Sequence, residues 1–260
     1  MQNKLELFRT RFRKHVETFA QPDGSFPVPV QQKMDHTEEV CAITEVLSAQ
    51  EGVSEHDAFL FSVCALFHDI SRFEQYAGFG TFRDAESFDH GDRSAEILTE
   101  SAFLAELDDT EREIVIQAIR SHNKLAILPD IRPDAIPAAK MVRDADKLSI
   151  LNVIYGFFSG IVPRDPTLKL DLPETPGYSG KIMNEVQNGI PVDYHFLRNV
   201  NDFLLALFGW VADFNYNASH RYALEPKQYE HLAELLPDDP EVQKVLSLTQ
   251  ERLRAGRRTS

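Results

Sequence analysis

Apolar residues recur at helical spacing from the start of the chain. Leu5, Phe8, Phe12, Val16 and Phe19 share one face before PDGSFPVPV interrupts the pattern. A second helix is predicted over about residues 35–50, with His36, Val40, Ile43 and Leu47 in one stripe. A third follows Ser54, a favourable N-cap residue, and runs to about position 69. After Asp57 it is apolar on nearly every side, which marks a helix at the centre of a core.

Residues 71–88, SRFEQYAGFGTFRDAESF, are aromatic and broken by Gly78 and Gly80. They predict a long loop or lid, with Tyr76, Phe79, Phe82 and Arg83 available to cover a cavity. Helical patterns resume over about residues 89–105 and 109–122. Pro137 then suits the first turn of a helix running to about position 158. Proline and glycine punctuate residues 162–192, which read as a surface excursion, and a strongly apolar helix is expected over 196–216. Shorter helices follow near 226–236 and 241–254. Strand-type alternation is scarce, so the expected fold is all-α.

The 260 residues, 43% hydrophobic, fit one domain spanning 1–260, with a C-terminal helical elaboration over about 156–255. A formal charge of −14 argues against binding duplex nucleic acid or an anionic membrane, and favours a small molecule or a protein as partner. Self-association into a homo-oligomer stays open. Cys41 and Cys64 lie in apolar helical patterns and read as buried free thiols. The amino terminus is charged throughout, and the longest apolar tract, FLFSVCALF, is far shorter than a membrane span. A cytoplasmic location is the expectation. RLRAGRRTS reads as a frayed basic tail.

The chemistry concentrates at predicted helix ends. His36 begins one helix, His68 and Asp69 end the central one, and His90 begins the next; His122 ends another, and MVRDADKL supplies Asp144 and Asp146. Each histidine alone has an ordinary structural explanation, and His56–Asp57 repeats the same dipeptide at a solvated helix start. His68 and Asp69 differ because the apolar run before them would bury them, and buried charge needs compensation. Imidazoles and carboxylates bind Zn²⁺, Fe or Mn²⁺, and six such groups suggest two cations. Asp69 is the natural bridge, since adjacent helical positions point about 100° apart. Between the two later acids, Asp144 falls in the polar row Lys140, Asp144, Lys147 and reads as a solvated surface acid. Asp146 falls on a small, apolar face and is the favoured ligand.

This ordered set resembles the HD-domain superfamily over roughly residues 33–155. His36 looks like its first ligand, His68 and Asp69 its central doublet, Asp146 its terminal aspartate, and His90 and His122 the extra histidines of its dinuclear branches. The resemblance implies an all-helical bundle carrying two divalent or transition metal ions, with Mn, Fe, Co, Zn, Ni or Mg as candidates. It also implies a metal-dependent phosphohydrolase or phosphodiesterase acting on a small phosphate ester, a nucleotide among the candidates. Asp69 would bridge, His36, His68 and Asp146 would complete one site, and His90 and His122 would hold the other. Arg72 stands where signalling members often carry lysine, and no GYP signature follows His122. Arg72 and Lys124, just beyond the ligand positions, are the candidate phosphate contacts. Mixed-valent diiron oxygenases of the same superfamily resemble the same ligand set and stand as the alternative, with a noncatalytic metal-binding protein behind them.

Overall fold

The run FLFSVCALF is buried at every position from Phe59 to Phe67, as only a helix enclosed on all sides can be. It forms most of α3 (Glu55–Phe67). In the computed structural model, which describes residues 2–161, 170, 172–224 and 227–256, every regular element is a helix, and no strand occurs among the described residues. Among the described residues, no helix is long and apolar enough to cross a membrane. The chain divides into two compact units, residues 1–149 and 150–260.

The first unit is built around α3. It contains α1 (Gln2–Glu17), α2 (Val28–Glu51), α4 (Arg72–Phe79), α5 (His90–Glu100), α6 (Asp109–Ser121) and the first part of α7 (Ile136–Phe158). Helices α1, α2 and α6 pack on α3, and α5 packs along α6. Phe8 and Phe12 of α1 present ring edges to Phe67 with centroids 6.3 and 6.2 Å apart, so aromatic packing secures the helix that ends in the His68–Asp69 pair.

Local capping sets where these helices start. Ser54 accepts the Asp57 N–H, Asp89 accepts that of Asp92, and Asp108 and Glu111 close a reciprocal capping box. Each such cap contributes about 1 kcal/mol. The cap at Asp89 makes His90 the first residue of α5.

Three helix expectations need correction in this unit. Helix α2 begins at Val28, seven residues before the expected start near 35, because prolines in a first turn lack only an N–H that would have no helical partner anyway. The expected loop over 71–88 contains α4 and a short 3₁₀ turn, Asp84–Glu86. Here Gly80 adopts a left-handed φ of 67° at the C-cap, ending the helix in the usual way. The helix expected over 89–105 stops at Glu100.

The second unit holds the rest of α7, α8 (Gly180–Gln187), α9 (Val200–Gly209), α10 (Asn217–Leu224), α11 (Gln228–Glu234) and α12 (Pro240–Ala255). Helix α12 packs on α8, α9, α10 and α11. Helix α8 lies inside the expected excursion and buries Ile182, Met183 and Val186, while residues 162–169 and 171 of that stretch lie outside the described residues. The expected 196–216 helix is shorter, being α9 capped by Asn199, followed by a 3₁₀ turn at Trp210–Asp213. Helix α10 had no counterpart in the sequence reading. The last four residues of the basic tail, 257–260, lie outside the described residues. Cys41 and Cys64 are buried and free, and burial pushes the Cys41 thiol up to about 12.

Candidate metal centre

Five helices converge in the first unit, α3, α5 and α6 by their ends and α2 and α7 by interior positions, so His36 does not begin its helix as expected. Helix α2 contributes His36 on the stripe it buries, and α3 delivers His68 at its C-cap with Asp69 next to it. Helix α5 begins with His90, α6 ends at the C-cap His122, and α7 supplies Asp146. His36, His68, Asp69, His90 and His122 are all buried, and Asp146 is partly so.

Hydrogen bonding gives all four imidazoles the same tautomer. The last carbonyls of a helix lack helical partners, and His68 and His122 exploit this by donating Nδ1–H to Ala65 O at 2.8 Å and Ile119 O at 2.7 Å. His90 Nδ1 lies 2.6 Å from Asp84 Oδ2, which can only accept, so this nitrogen carries the hydrogen. His36 Nδ1 lies 2.9 Å from Ser149 Oγ, whose own hydrogen goes to Glu39 Oε2 at 2.7 Å. Ser149 must therefore accept from His36. Each ring is left with its lone pair on Nε2, the arrangement that outer partners impose on metal-binding histidines.

These lone pairs surround Asp69 in two pairs. Asp69 Oδ2 is 3.6 Å from His68 Nε2 and 3.9 Å from His36 Nε2, whereas Oδ1 is 3.6 Å from His90 Nε2 and 3.8 Å from His122 Nε2. Asp146 Oδ1 lies on the first side, 3.0 Å from His36 Nε2 and 3.8 Å from His68 Nε2. Donor atoms of His36, His68 and Asp146 all fall within 4.8 Å of one another, as do those of His68, Asp69 and His122.

The donor set fits a cation. Nε2 of His36, His68 and His122 is buried without a hydrogen-bond partner, and each such orphan costs about 1–3 kcal/mol. His36 Nε2 and Asp146 Oδ1, both acceptors, face each other at 3.0 Å, an approach that a shared positive charge reconciles. Burial pushes the His68 imidazole down to about 4, against the pull of Asp69 and Asp146. Burial, helped by the Arg72 charge, also takes His90 to about 4. For Asp69, burial works upward, but Lys33, His68 and Arg72 outweigh it and hold the carboxyl well below its usual range. Burial is likewise overcome at Asp146, by His36 and His68. At neutral pH His68 and His90 are thus neutral while both carboxylates are ionised, the state that metal ligation requires.

Arg72 belongs to this cluster. Its Nε is 3.4 Å from Asp69 Oδ1, its Nη2 is 3.3 Å from His90 Nε2, and Nη1 donates to Asp84, Gln75 and the Phe82 carbonyl. Lys124 is engaged elsewhere: its ammonium lies 2.7 Å from Asp89 Oδ2 and 2.9 Å from Asp92 Oδ2, tying the start of α5 to the segment after α6. Asp144 needs a correction. It is completely buried, because residues 141–145 of α7 are enclosed on all sides, so the solvated row that set it aside does not exist. It is Asp146 whose carboxylate faces the imidazoles. His56 lies at the exposed start of α3, paired with Glu111 at 2.9 Å.

Several contributors escaped the sequence reading. Lys33 Nζ sits 2.7 Å from Asp69 Oδ2, and its spacing of three residues from His36 on one helix was the available signal. Asp84 joins His90 to Arg72, and burial is again outweighed there, so that His90 and Arg72 hold its carboxyl below the usual range. Arg143, also buried, donates to the carbonyls of Ser121, His122 and Lys124, fixing the end of α6. Gly91 allows α5 to approach α6, since a Cβ there would lie 2.3 Å from Asn123 Oδ1 and 3.2 Å from Arg120 O.

Residues 34–151 match the family model of the HD domain. No curated protein and no solved structure matches the chain. The matched region, which holds His36, His68, Asp69, His90, His122 and Asp146, is an HD domain, of an all-helical superfamily made up mostly of metal-dependent hydrolases.

Proposed function

We propose that this protein is a metal-dependent phosphohydrolase acting on a small phosphate ester. The observation that carries the reading is the division of Asp69, whose two oxygens each face their own pair of imidazole lone pairs. That pattern suits a carboxylate shared by two cations. His36, His68, Asp146 and Asp69 would hold one, and His90, His122 and Asp69 the other. When bound, the cations would activate water for attack and offset the charge developing on the phosphate.

The chain's own groups would serve that chemistry in distinct ways. The Nδ1 partners Ser149, Ala65 O, Asp84 and Ile119 O keep each imidazole turned toward the site. Lys33 and Arg72 place two positive charges beside the central carboxylate, and fixed cations suit an anionic substrate. Phe82 backs both, with its ring centroid 5.5 Å from Lys33 Nζ and 5.9 Å from the Arg72 guanidinium carbon. Lys124, held by Asp89 and Asp92, would steady His90 from behind instead of touching phosphate.

The test is phosphate release from a panel of phosphate monoesters, phosphodiesters and nucleotides by Mn²⁺- or Co²⁺-loaded protein. Asp69→Ala should bring the rate to background while the helical circular dichroism is kept. Full activity in that variant would overturn the mechanism. Substrate-dependent O₂ consumption without phosphate release would replace it with oxygenase chemistry.

A further inference from the structure

We propose that Arg72 sets how tightly a second cation binds, by donating to the single lone pair on His90 that such a cation needs. This inference rests on the two-cation reading above. His90 Nδ1 gives its hydrogen to Asp84, so Nε2 is an acceptor, and Arg72 Nη2 lies 3.3 Å from it. The guanidinium is anchored in that position. Its Nη1 reaches Asp84 Oδ1 at 2.8 Å, the Phe82 carbonyl at 2.6 Å and Gln75 Oε1 at 2.6 Å.

The two sides of Asp69 therefore differ in kind. On the first side, Lys33 meets a carboxylate oxygen, which has more than one lone pair and can accept an ammonium and a cation together. The Nε2 atoms of His36 and His68 there have no hydrogen-bond donor. On the second side, the Arg72 N–H and a cation would compete for one lone pair, because an sp² imidazole nitrogen has no other. Arg72 also brings a full positive charge to within 3.4 Å of Asp69 Oδ1. Cation binding is thus stepwise, with the His36–His68–Asp146 side filled first and the His90–His122 side held weaker by the guanidinium. Asp84 is the hinge of this competition, since it holds Arg72 through Oδ1 and His90 through Oδ2.

The experiment is a Mn²⁺ titration of metal-stripped full chain, counting bound ion by loss of the free Mn²⁺ electron paramagnetic resonance signal. Wild type should show two unequal steps. In Arg72→Met the second step should tighten by about tenfold or more, the worth of one hydrogen bond to a charged group, while the first changes by less than about threefold. Arg72→Lys, whose ammonium lacks the fork that spans Asp84 and His90, should fall between them. A second step unchanged or weaker in Arg72→Met overturns the inference, as does a single bound ion in both proteins. Should Arg72→Met not fold, an unchanged second step in Arg72→Lys overturns it equally. Wild type that takes up no Mn²⁺ overturns the metal-centre reading itself, and this proposal with it.

Discussion

Lowering the pH from 8 to 5 with metal removed by a chelator should destabilise the folded chain by about 4 kcal/mol through two buried rings. His68 and His90 titrate near 6.5 when unfolded and at about 4 in the folded protein. Between those values the unfolded chain takes up protons that the folded chain does not, so stability falls as pH drops through this window and is fully present above it. At pH 5 the difference amounts to about 2 kcal/mol for each ring. Burial lowers His15 too, which acts in the same direction. Asp69, Asp84 and Asp146 have depressed values, so their contributions are lost only below about pH 4 and leave a measurement at pH 5 to the imidazoles. Urea unfolding at the two pH values gives the number, and His90→Gln should remove about half of the dependence. A change below about 1 kcal/mol would refute the claim that His68 and His90 are held neutral by burial.

Two further substitutions probe the supports of the site. Gly91→Ala would put a methyl group 2.3 Å from Asn123 Oδ1 and 3.2 Å from the Arg120 carbonyl; forcing α5 from α6 should cost about 1–3 kcal/mol in thermal or urea unfolding, and an unchanged midpoint would show that Asn123 yields freely. Ser149→Ala strips the acceptor from His36 Nδ1 and interrupts the link to Glu39; Mn²⁺ affinity at the first step should fall about 10–100-fold by calorimetry, whereas wild-type affinity would mean that the hydrogen bond does not orient the ring.

Local signals carried much of this structure. Ser54, Asp89 and Asp108 act on backbone N–H groups three residues away, so the starts of α3, α5 and α6 could be placed from neighbouring residues alone. The prolines before α2 misled, because a proline that breaks a helix and one that opens it look the same without knowledge of which N–H groups need partners. The glycines near α4 misled similarly, since a left-handed glycine marks an end only once the preceding residues are known to be helical. Asp144 shows a different failure. Its i,i+3/i+4 row with two lysines implied solvent, yet whether a helical face meets water depends on what packs against it, and residues 141–145 of α7 are enclosed.

The sequence by itself determined that this chain is helical and that His68, Asp69, His90 and His122 fall at helix ends, because periodicity and capping act over three or four residues; His36 and Asp146, expected near ends, lie within α2 and α7. The tertiary structure alone decided that those positions meet, that Asp69 turns one oxygen to each pair of imidazoles, and that Lys33, Arg72 and Asp84 crowd the same carboxylate and rings. These are distances between helices far apart along the chain, and they are settled by how α3 is packed by its neighbours and how closely Gly91 lets α5 approach α6.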